Sequence, residues 1–217
     1  MFISINKPKG FTSHDVVNLV RKASGIRKVG HAGTLDPLAT GVLVVAVGRE
    51  FTKQISKIVE KEKEYVATVY LGETSTTDDE EGEKIVISNI QLPTIDEINK
   101  VLKEFVGKIS QTPPIYSAVK IKGKEAYKYA RKGQKVEMRP REVNIKNIEV
   151  LDYDFPTLKI KVTTGPGVYI RSLARDIGEK LKTGAYLSDL QRTRVGKYTI
   201  ESSVEISNLE DYIQSLN

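Results

Sequence analysis

Residues 30–47 read GHAGTLDPLATGVLVVAV, a glycine-rich segment followed directly by an apolar run. The run from Val42 to Val47 has the length and composition of a buried strand, with Gly41 before it and Gly48 after it. Three glycines and one proline in the twelve preceding residues predict a tight, irregular loop and not a helix. Loops on a rigid sheet commonly carry functional side chains, so this segment is the first candidate for a site.

The spacing of apolar residues predicts further strands and helices along the chain. Strands are predicted at 65–71 and 158–163, where apolar and polar residues alternate. The predicted helices are one capped by Ser13, one at 55–59, one opened by Pro93 and Thr94 with a capping box from Glu97, one at 173–181, and a last one capped by Ser207 with Glu210. Strands and helices mix without a regular βαβ rhythm, which predicts an α+β fold in a single domain over residues 1–217.

The composition excludes several classes of function. The chain of 217 residues has no cysteine, which excludes disulfides, thiolate nucleophiles and cysteine-based zinc sites, and its two histidines are too few for a histidine-rich metal cluster. The first ten residues, MFISINKPKG, lack the apolar core of a signal peptide, and the glycines and charges of 29–48 argue against a membrane span. No phosphate-loop template fits the glycines. We therefore expect a soluble, cytoplasmic protein without a metal or a membrane partner.

Charge is strongly segregated although the formal net charge is only +6, from 34 basic and 28 acidic residues. Residues 108–146 hold eleven basic and three acidic residues, with Tyr116, Tyr127 and Tyr129 interleaved, and residues 73–83 hold six acidic residues and no basic one. The basic residues are Lys108, Lys120, Lys122, Lys124, Lys128, Arg131, Lys132, Lys135, Arg139, Arg141 and Lys146. Such a segment is typical of nucleic-acid binding, and equally of a solvated lysine-rich face.

Asp36 is the candidate catalytic residue of the glycine-rich loop. It is the only carboxylate between Asp15 and Glu50, and Pro37 biases it towards an extended backbone. Asp-Pro also commonly opens a turn, so a capping role stays open. His31 could act as a base, but no serine or cysteine stands in a nucleophile context, and a loop histidine is more often a hydrogen-bonding residue.

The segment 163–173, TTGPGVYIRSL, is the second candidate. A half-buried strand enters a Gly-Pro-Gly turn, after which Tyr169 and Arg171 open a helix. A charged Arg171 could pair with a carboxylate or a phosphate. The alternative is a surface arginine at a helix start, where the helix dipole is slightly unfavourable to it.

Taken together, these segments resemble the TruB family of tRNA pseudouridine synthases. Six motifs occur in family order across residues 5–198, which makes coincidence very unlikely. They are KPKGFTS at 7–13, GHAGTLDPLATGVL at 30–43, Tyr65 with Leu71, Gly72, Ser75, Thr77, Asp79 and Gly82, QTPPIYSAVK at 111–120 with Gly123, Ala126, Tyr127, Ala130 and Arg131, Gly167 with YIRSL at 169–173, and Leu190 with RTRVG at 192–196.

The chain also departs from the family pattern. Residues 163–168 read TTGPGV where the family usually has a Cys-Ser-Lys-Gly-Thr-like sequence, and Pro166 removes a backbone donor from this turn. Ser75 replaces the usual threonine. About twenty residues follow the last motif, too few for the C-terminal PUA domain of most relatives. Substrate affinity is therefore expected to rest on the catalytic domain and on a basic insertion at about residues 107–146.

The resemblance implies the pseudouridine synthase fold, with a mixed, mostly antiparallel sheet flanked by helices. It also implies isomerisation of uridine 55 in the T loop of tRNA, without a cofactor. Asp36 would attack the ribose or assist glycal formation, and both routes stay open. Arg171 would keep Asp36 ionised, and Tyr65 would stack on the target base and take a proton, unless it is a packed core residue.

Further residues gain implied roles in RNA binding. His31 would fill the space of the flipped base, and Tyr169 and Leu190 would line the uracil pocket. The implied phosphate contacts are Lys7, Lys120 and Arg131. The implied partner is the T-arm stem-loop of tRNA, bound by a monomer that needs no protein partner. A non-catalytic RNA-binding protein and a guide-dependent rRNA pseudouridine synthase are the alternatives.

Overall fold

The computed structural model describes residues 1–121, 123–134 and 136–216, so Lys122 and Lys135 of the basic segment lie outside the described residues. The strands are β1 (Phe2–Lys7), β2 (Val29–His31), β3 (Thr40–Val47), β4 (Lys63–Leu71), β5 (Glu73–Ser75), β6 (Lys84–Val86), β7 (Gly107–Gln111), β8 (Lys120–Ile121), β9 (Lys124–Glu125), β10 (Arg141–Asp154), β11 (Thr157–Thr164), β12 (Ala185–Val195), β13 (Tyr198–Thr199) and β14 (Val204–Glu205). The helices are α1 (Ser13–Ser24), α2 (Arg49–Thr52), α3 (Ile55–Val59), α4 (Ile95–Glu104), α5 (Ala126–Ala130), α6 (Ile170–Leu181) and α7 (Leu209–Gln214), with a 3₁₀ turn at Ile206–Asn208.

The chain forms two compact units. The first unit contains residues 1–66, 163–166 and the chain from Leu190 onward, and the second contains residues 67–162 and 167–189. Three boundaries between the units fall inside β4, β11 and β12, and the fourth falls between Pro166 and Gly167. The α+β class and the mixed, mostly antiparallel central sheet are confirmed. No helix in the described part of the chain is long and apolar enough to cross a membrane.

The sheet of the first unit is built around β3, as the apolar run predicts. The strand order is β14-β1-β3-β12, with β2 also paired to β3 and β13 to β12. β3 runs antiparallel to β1 and parallel to β12, and every residue from Gly41 to Val47 is buried. A strand covered on both faces needs apolar residues at consecutive positions, which is why the pattern does not alternate.

Helix α1 begins one residue earlier than the sequence indicates. The predicted cap, Ser13, is wrong, because Thr12 is the N-cap and forms a capping box with Asp15. Thr12 has the carboxylate three residues further on that the box requires, and Ser13 faces inward. The cap predicted at Ser207 is also wrong, since Asn208 precedes α7 and the Ser207 hydroxyl bonds to the Asn208 side chain.

In the second unit the strand order is β4-β11-β10-β7, and α4 packs against α6. The predicted capping box of Thr94 and Glu97 at the start of α4 is confirmed. The ends of the basic segment lie side by side, because β7 pairs antiparallel with β10 and Gly107 stands opposite Ile145. Between these strands the segment forms the β8–β9 hairpin and α5, so it leaves the sheet and returns to it.

We predict that Gly41→Ala is strongly destabilising. Gly41 has φ +99°, and a Cβ there would collide with the backbone carbonyl of Arg192 on β12, which cannot yield without breaking the strand pair. Gly25, with φ +67° and open space around it, is the matched control for backbone strain alone. In urea unfolding we expect Gly41→Ala to lose more than about 3 kcal/mol and Gly25→Ala about 1 to 2 kcal/mol. Equal losses of unfolding free energy in the two variants would contradict a role for the close approach of the Arg192 carbonyl to Gly41.

Candidate active site

The loop that carries Asp36 lies between β2 and β3 and is fixed at several backbone positions. The Ala32 N–H donates to the Val44 carbonyl at 2.8 Å, and the Pro37 carbonyl accepts from the Gly10 N–H at 2.8 Å. The Asp36 carbonyl accepts from the Ala39 N–H at 3.1 Å, which closes a turn after the carboxylate. Asp36 itself is half-buried. The loop is therefore irregular in shape but held on both sides by the sheet and by the segment after β1.

Ser13, the residue mistaken for a helix cap, anchors this loop. Its hydroxyl donates to the Leu35 carbonyl at 3.0 Å and accepts from the Leu35 N–H at 2.9 Å. Both polar groups of Leu35 are thus satisfied by one buried side chain, and a buried backbone group without a partner would cost free energy. The residue directly before Asp36 is consequently fixed to the start of α1.

Arg192 holds the other side of the loop. Its side chain is among the most buried in the described chain, with 1% of the residue exposed. Its Nε donates to the Val42 carbonyl at 2.8 Å and its Nη2 to the Gly33 carbonyl at 3.1 Å, with Nη1 3.5 Å from the Thr34 carbonyl. Charge-assisted bonds of this kind are stronger than neutral ones, and they tie the loop directly to β3.

Lys7 is a second buried cation beside the loop. The residue is 0% exposed, and its Nζ donates to the carbonyls of Phe11 at 2.7 Å and Pro8 at 3.0 Å, with the Pro37 carbonyl at 3.4 Å. Burial lowers the pKa of Lys7 to about 8, against the attraction of the Asp36 carboxylate, which raises it. The phosphate contact implied for Lys7 stays a prediction, and the ammonium would have to leave these carbonyls to make it.

Three other candidates lie in the first unit. His31 ends β2, and burial together with the charge of Arg192 lowers its pKa, which favours the neutral ring that a stacking role requires. Its Nδ1 is buried and makes no hydrogen bond to the described residues. Tyr65 lies in β4 and is 6% exposed, and Leu190 lies in β12 two residues before Arg192. The roles of these three side chains towards a base stay predictions.

In the second unit, Arg171 near the start of α6 is buried and paired. Its Nη1 lies 3.2 Å from the Asp79 carboxylate and 3.3 Å from the Thr77 carbonyl, and its Nη2 donates to the Tyr116 carbonyl at 2.8 Å. Arg171 and Asp79 are both buried, which excludes the solvated surface arginine that the sequence left open. The pairing of Arg171 with Asp36 stays a prediction.

Tyr169 is the N-cap residue of α6, and its backbone is held by one buried side chain. The Gln111 amide nitrogen donates to the Tyr169 carbonyl at 3.1 Å, and the amide oxygen accepts from the Tyr169 N–H at 2.9 Å. Gln111 is 1% exposed at the end of β7. The turn before α6, where the chain departs from the family pattern, is thus fixed just beyond Pro166.

The predicted RNA-contacting residues of the basic segment are exposed. Lys120 lies in β8, and Arg131 follows α5. The guanidinium of Arg131 lies 5.4 Å from the centre of the Tyr127 ring, and the Lys128 ammonium lies 5.9 Å from it. An aromatic ring close to two cations offers both stacking and charge to a polyanion.

The sequence alone did not identify four residues that hold the candidates in place. Ser13 and Arg192 anchor the loop of Asp36 in the first unit, and Gln111 and Asp79 hold Tyr169 and Arg171 in the second. For Arg192 a signal was present. It stands two residues after Leu190 in a strand, so both side chains point to the same, inward face. For Asp79 and Gln111 only motif membership pointed to a role.

Comparison with family models matches nearly the whole chain. Residues 21–170 match the "TruB family pseudouridylate synthase (N terminal domain)", and residues 171–216 match the "tRNA pseudouridylate synthase B C-terminal domain". Among curated relatives, tRNA pseudouridine synthase B of Parabacteroides distasonis is 45% identical, with 96% of this chain and 91% of the relative covered. The protein of that name from Clostridium tetani is 46% identical, with 96% and 71% covered.

Solved structures show the same fold. A chain in the crystal structure of a Cbf5–Nop10–Gar1 complex matches with a TM-score of 0.76 and 34% identity over 97% of this chain. A chain in the structure of an H/ACA RNP bound to a substrate RNA containing 2′-deoxyuridine matches with a TM-score of 0.72 and 32% identity over 97%. This chain spans about half the length of both, 54% and 52%. The pseudouridine synthase fold expected from the sequence is confirmed.

We predict that Lys7 makes the stability of the protein depend on pH. Its pKa is about 8 in the folded chain, below the ordinary 10.5, so between these values the unfolded chain binds more protons. The free energy of unfolding should therefore rise with pH across this window, by about 1 to 3 kcal/mol from this residue. Burial lowers the pKa of Lys63 to about 8 as well, so in Lys7→Met the unfolding free energy should rise less between pH 7 and 10.5 but not become flat. Lys57→Met, at an exposed lysine, should keep the full wild-type rise. If the free energy of unfolding depends on pH in the same way in wild type and in Lys7→Met, the burial of a charged Lys7 is contradicted.

Proposed function

The chain belongs to the TruB family of pseudouridine synthases, and on that premise we propose that it isomerises a uridine of tRNA to pseudouridine. Support comes from the relatives named tRNA pseudouridine synthase B, which align with nearly all of this chain. The observation that carries the proposal is the position of Asp36. A single carboxylate stands in a loop whose backbone is anchored by Ser13 and Arg192 and which lies beside the ammonium of Lys7.

The reaction needs an ionised carboxylate at the sugar. The bond between N1 of uracil and C1′ breaks, the base rotates, and C5 bonds to C1′ before its proton leaves, so there is no net redox change. Asp36 would either attack C1′ as a nucleophile or take a proton from C2′ to give a glycal. Both routes use the charged form of the carboxylate, whose charge acts on the Lys7 ammonium beside the loop.

The remaining residues would bind and orient the base. We assign Tyr65 to stacking on uracil and to the final proton transfer, and Arg171 to keeping Asp36 ionised. His31 would take the space of the flipped base as a neutral ring, in keeping with its lowered pKa. Tyr169 and Leu190 would line the uracil pocket.

We place the target at uridine 55 in the T arm, the substrate that the motifs of the chain imply. We further propose that the protein acts as a monomer in the cytoplasm. A guide-dependent synthase is the alternative that the Cbf5 likeness raises, but identity is higher to the relatives named for tRNA, 45% against 34%. A non-catalytic RNA-binding protein would have no use for a fixed carboxylate beside buried cations.

We predict that Asp36→Asn abolishes turnover and leaves tRNA affinity within a few-fold. The amide keeps the shape of the side chain but can neither attack C1′ nor act as a base. Tritium release from uracil-labelled tRNA under single-turnover conditions measures the rate. Asp15→Asn is the matched control, because Asp15 is a second carboxylate whose charge acts on Lys7, but it lies exposed on α1.

An Asp36→Asn rate above about a tenth of wild type would reject the assignment of Asp36. A similar loss in Asp15→Asn would mean that charge near Lys7 matters and not the carboxylate of the loop. Tight tRNA binding by both variants is the internal check that they are folded.

The basic segment is the proposed electrostatic contact with RNA. Lys120, Lys124, Lys128 and Arg131 are exposed. Lys128 pairs with Glu125 at 2.8 Å, with 53% of its side chain exposed, and an exposed pair of this kind is weak enough to be exchanged for a phosphate.

We predict that neutralising these four residues to glutamine weakens tRNA binding and flattens its salt dependence. Each lost phosphate contact should lower the slope of log affinity against log salt by roughly 0.7 to 0.9. The control is a second quadruple variant at Lys57, Lys100, Lys103 and Lys159, which removes the same charge from exposed sites outside the segment. Equal slopes for the two variants would identify the segment as a solvated face.

A further inference from the structure

A second arginine stands one helical turn after Arg171 on α6. Arg175 donates from Nη1 to the Asp78 carboxylate at 2.8 Å and from Nη2 to the Thr112 carbonyl at 3.0 Å. Its Nε and Nη2 also bind the neighbouring Asp176 at 2.9 and 2.7 Å. Residues four apart lie on the same helix face, so Arg171 and Arg175 face the same neighbours.

The two arginines contact the same two segments. Arg171 binds Thr77 and Asp79 on one segment and the carbonyl of Tyr116 on the other. Arg175 binds Asp78, between Thr77 and Asp79, and Thr112, four residues before Tyr116. The Thr112 carbonyl also accepts from Ser172 at 2.8 Å. Arg175 therefore fixes the spacing of the groups that surround Arg171.

Asp78 is the residue through which this fixation reaches Asp79. Its backbone is left-handed, with φ +62°, its N–H donates to the Ser75 carbonyl at 3.1 Å, and its carbonyl accepts from the Leu187 N–H at 3.0 Å. Aspartate tolerates this conformation better than most residues, but it still needs support from its surroundings. The hydrogen bond from Arg175 to the Asp78 side chain supplies this support. The carboxylate of the next residue, Asp79, then lies against Arg171.

We propose that Arg175 is a positioning residue, which acts through Asp78 to hold the ion pair of Asp79 and Arg171 in place for catalysis. The proposal rests on the proposed function, since the ion pair of Asp79 and Arg171 would serve the isomerisation. Arg175 does not need to touch RNA for this role. The rival explanation is a direct RNA contact, because Arg175, Asp78 and Thr112 also line an open cavity of about 260 Å³.

Kinetics of Arg175→Met and Asp78→Gly separate these roles. Glycine at position 78 keeps the left-handed backbone and removes only the carboxylate. Each variant should lower the single-turnover rate at saturating enzyme by tenfold or more and leave the Kd for tRNA within about threefold. The double variant should be no slower than the slower single variant, because both changes remove one interaction. Asp78→Asn, which can still accept from Arg175, should recover most of the rate.

Lys180→Met is the matched control on the same helix. It removes the ion pair of Lys180 with Glu104, which is 2.7 Å long and exposed, and should leave the rate at the wild-type value. The proposal is overturned if the rate at saturation is unchanged and only Kd rises, which is the result of a direct RNA contact. It is also overturned if the losses of the two single variants multiply in the double variant.

A crystal structure of Asp78→Gly tests the positioning without any activity. Arg175→Lys serves as a second variant where Arg175→Met does not fold. The proposal expects the distance from Asp79 to Arg171 to grow beyond about 4 Å, the limit of an ion pair. An unchanged pair overturns it whether or not the wild-type protein forms pseudouridine. Failure of the wild type to form pseudouridine, with a displaced pair in the variant, would refute the proposed function alone.

Discussion

The buried guanidinium of Arg192 is the constraint on which the candidate site depends. It binds the carbonyl of Gly33 in the loop of Asp36 and the carbonyl of Val42 on β3. Strand β12 must come close enough to β3 for this to happen, and the approach leaves no room for a Cβ at Gly41. A buried cation without hydrogen bonds would cost several kcal/mol, so the loop carbonyls and the arginine require each other. The irregular loop is thereby as well fixed as the strand that follows it.

The two units stabilise buried cations in different ways. In the first unit, Arg192, Lys7 and Lys63 donate to backbone carbonyls, and burial lowers the pKa of Lys7 and of Lys63 to about 8. In the second unit, Arg171 and Arg175 are paired with Asp79 and Asp78. Carbonyl oxygens accept the hydrogen bonds of a buried cation but carry no full charge to neutralise it. Carboxylate partners, in contrast, neutralise the charge of an arginine and fix the orientation of its side chain.

Local signals in the sequence predicted most of the fold. The apolar run of β3 and the capping box of α4 involve residues near one another in the chain, and both are confirmed. The cap of α1 was missed by one residue because Thr12 and Ser13 both carry hydroxyls, and only the position of Asp15 distinguishes them. For the site, Asp36 and Arg171 could be singled out by composition and motif. Of their anchors, only Arg192 left a sequence signal, because bonds such as that of Arg171 to Asp79 join residues far apart in the sequence.

We propose that this chain converts a uridine in the T loop of tRNA, and the RNA product tests this most directly. Purified protein is incubated with an unmodified tRNA transcript, and pseudouridine is mapped at every nucleotide. The account predicts one pseudouridine, at uridine 55, formed without any added cofactor or guide RNA. A transcript that gains no pseudouridine, or that gains it only outside the T loop, would contradict it.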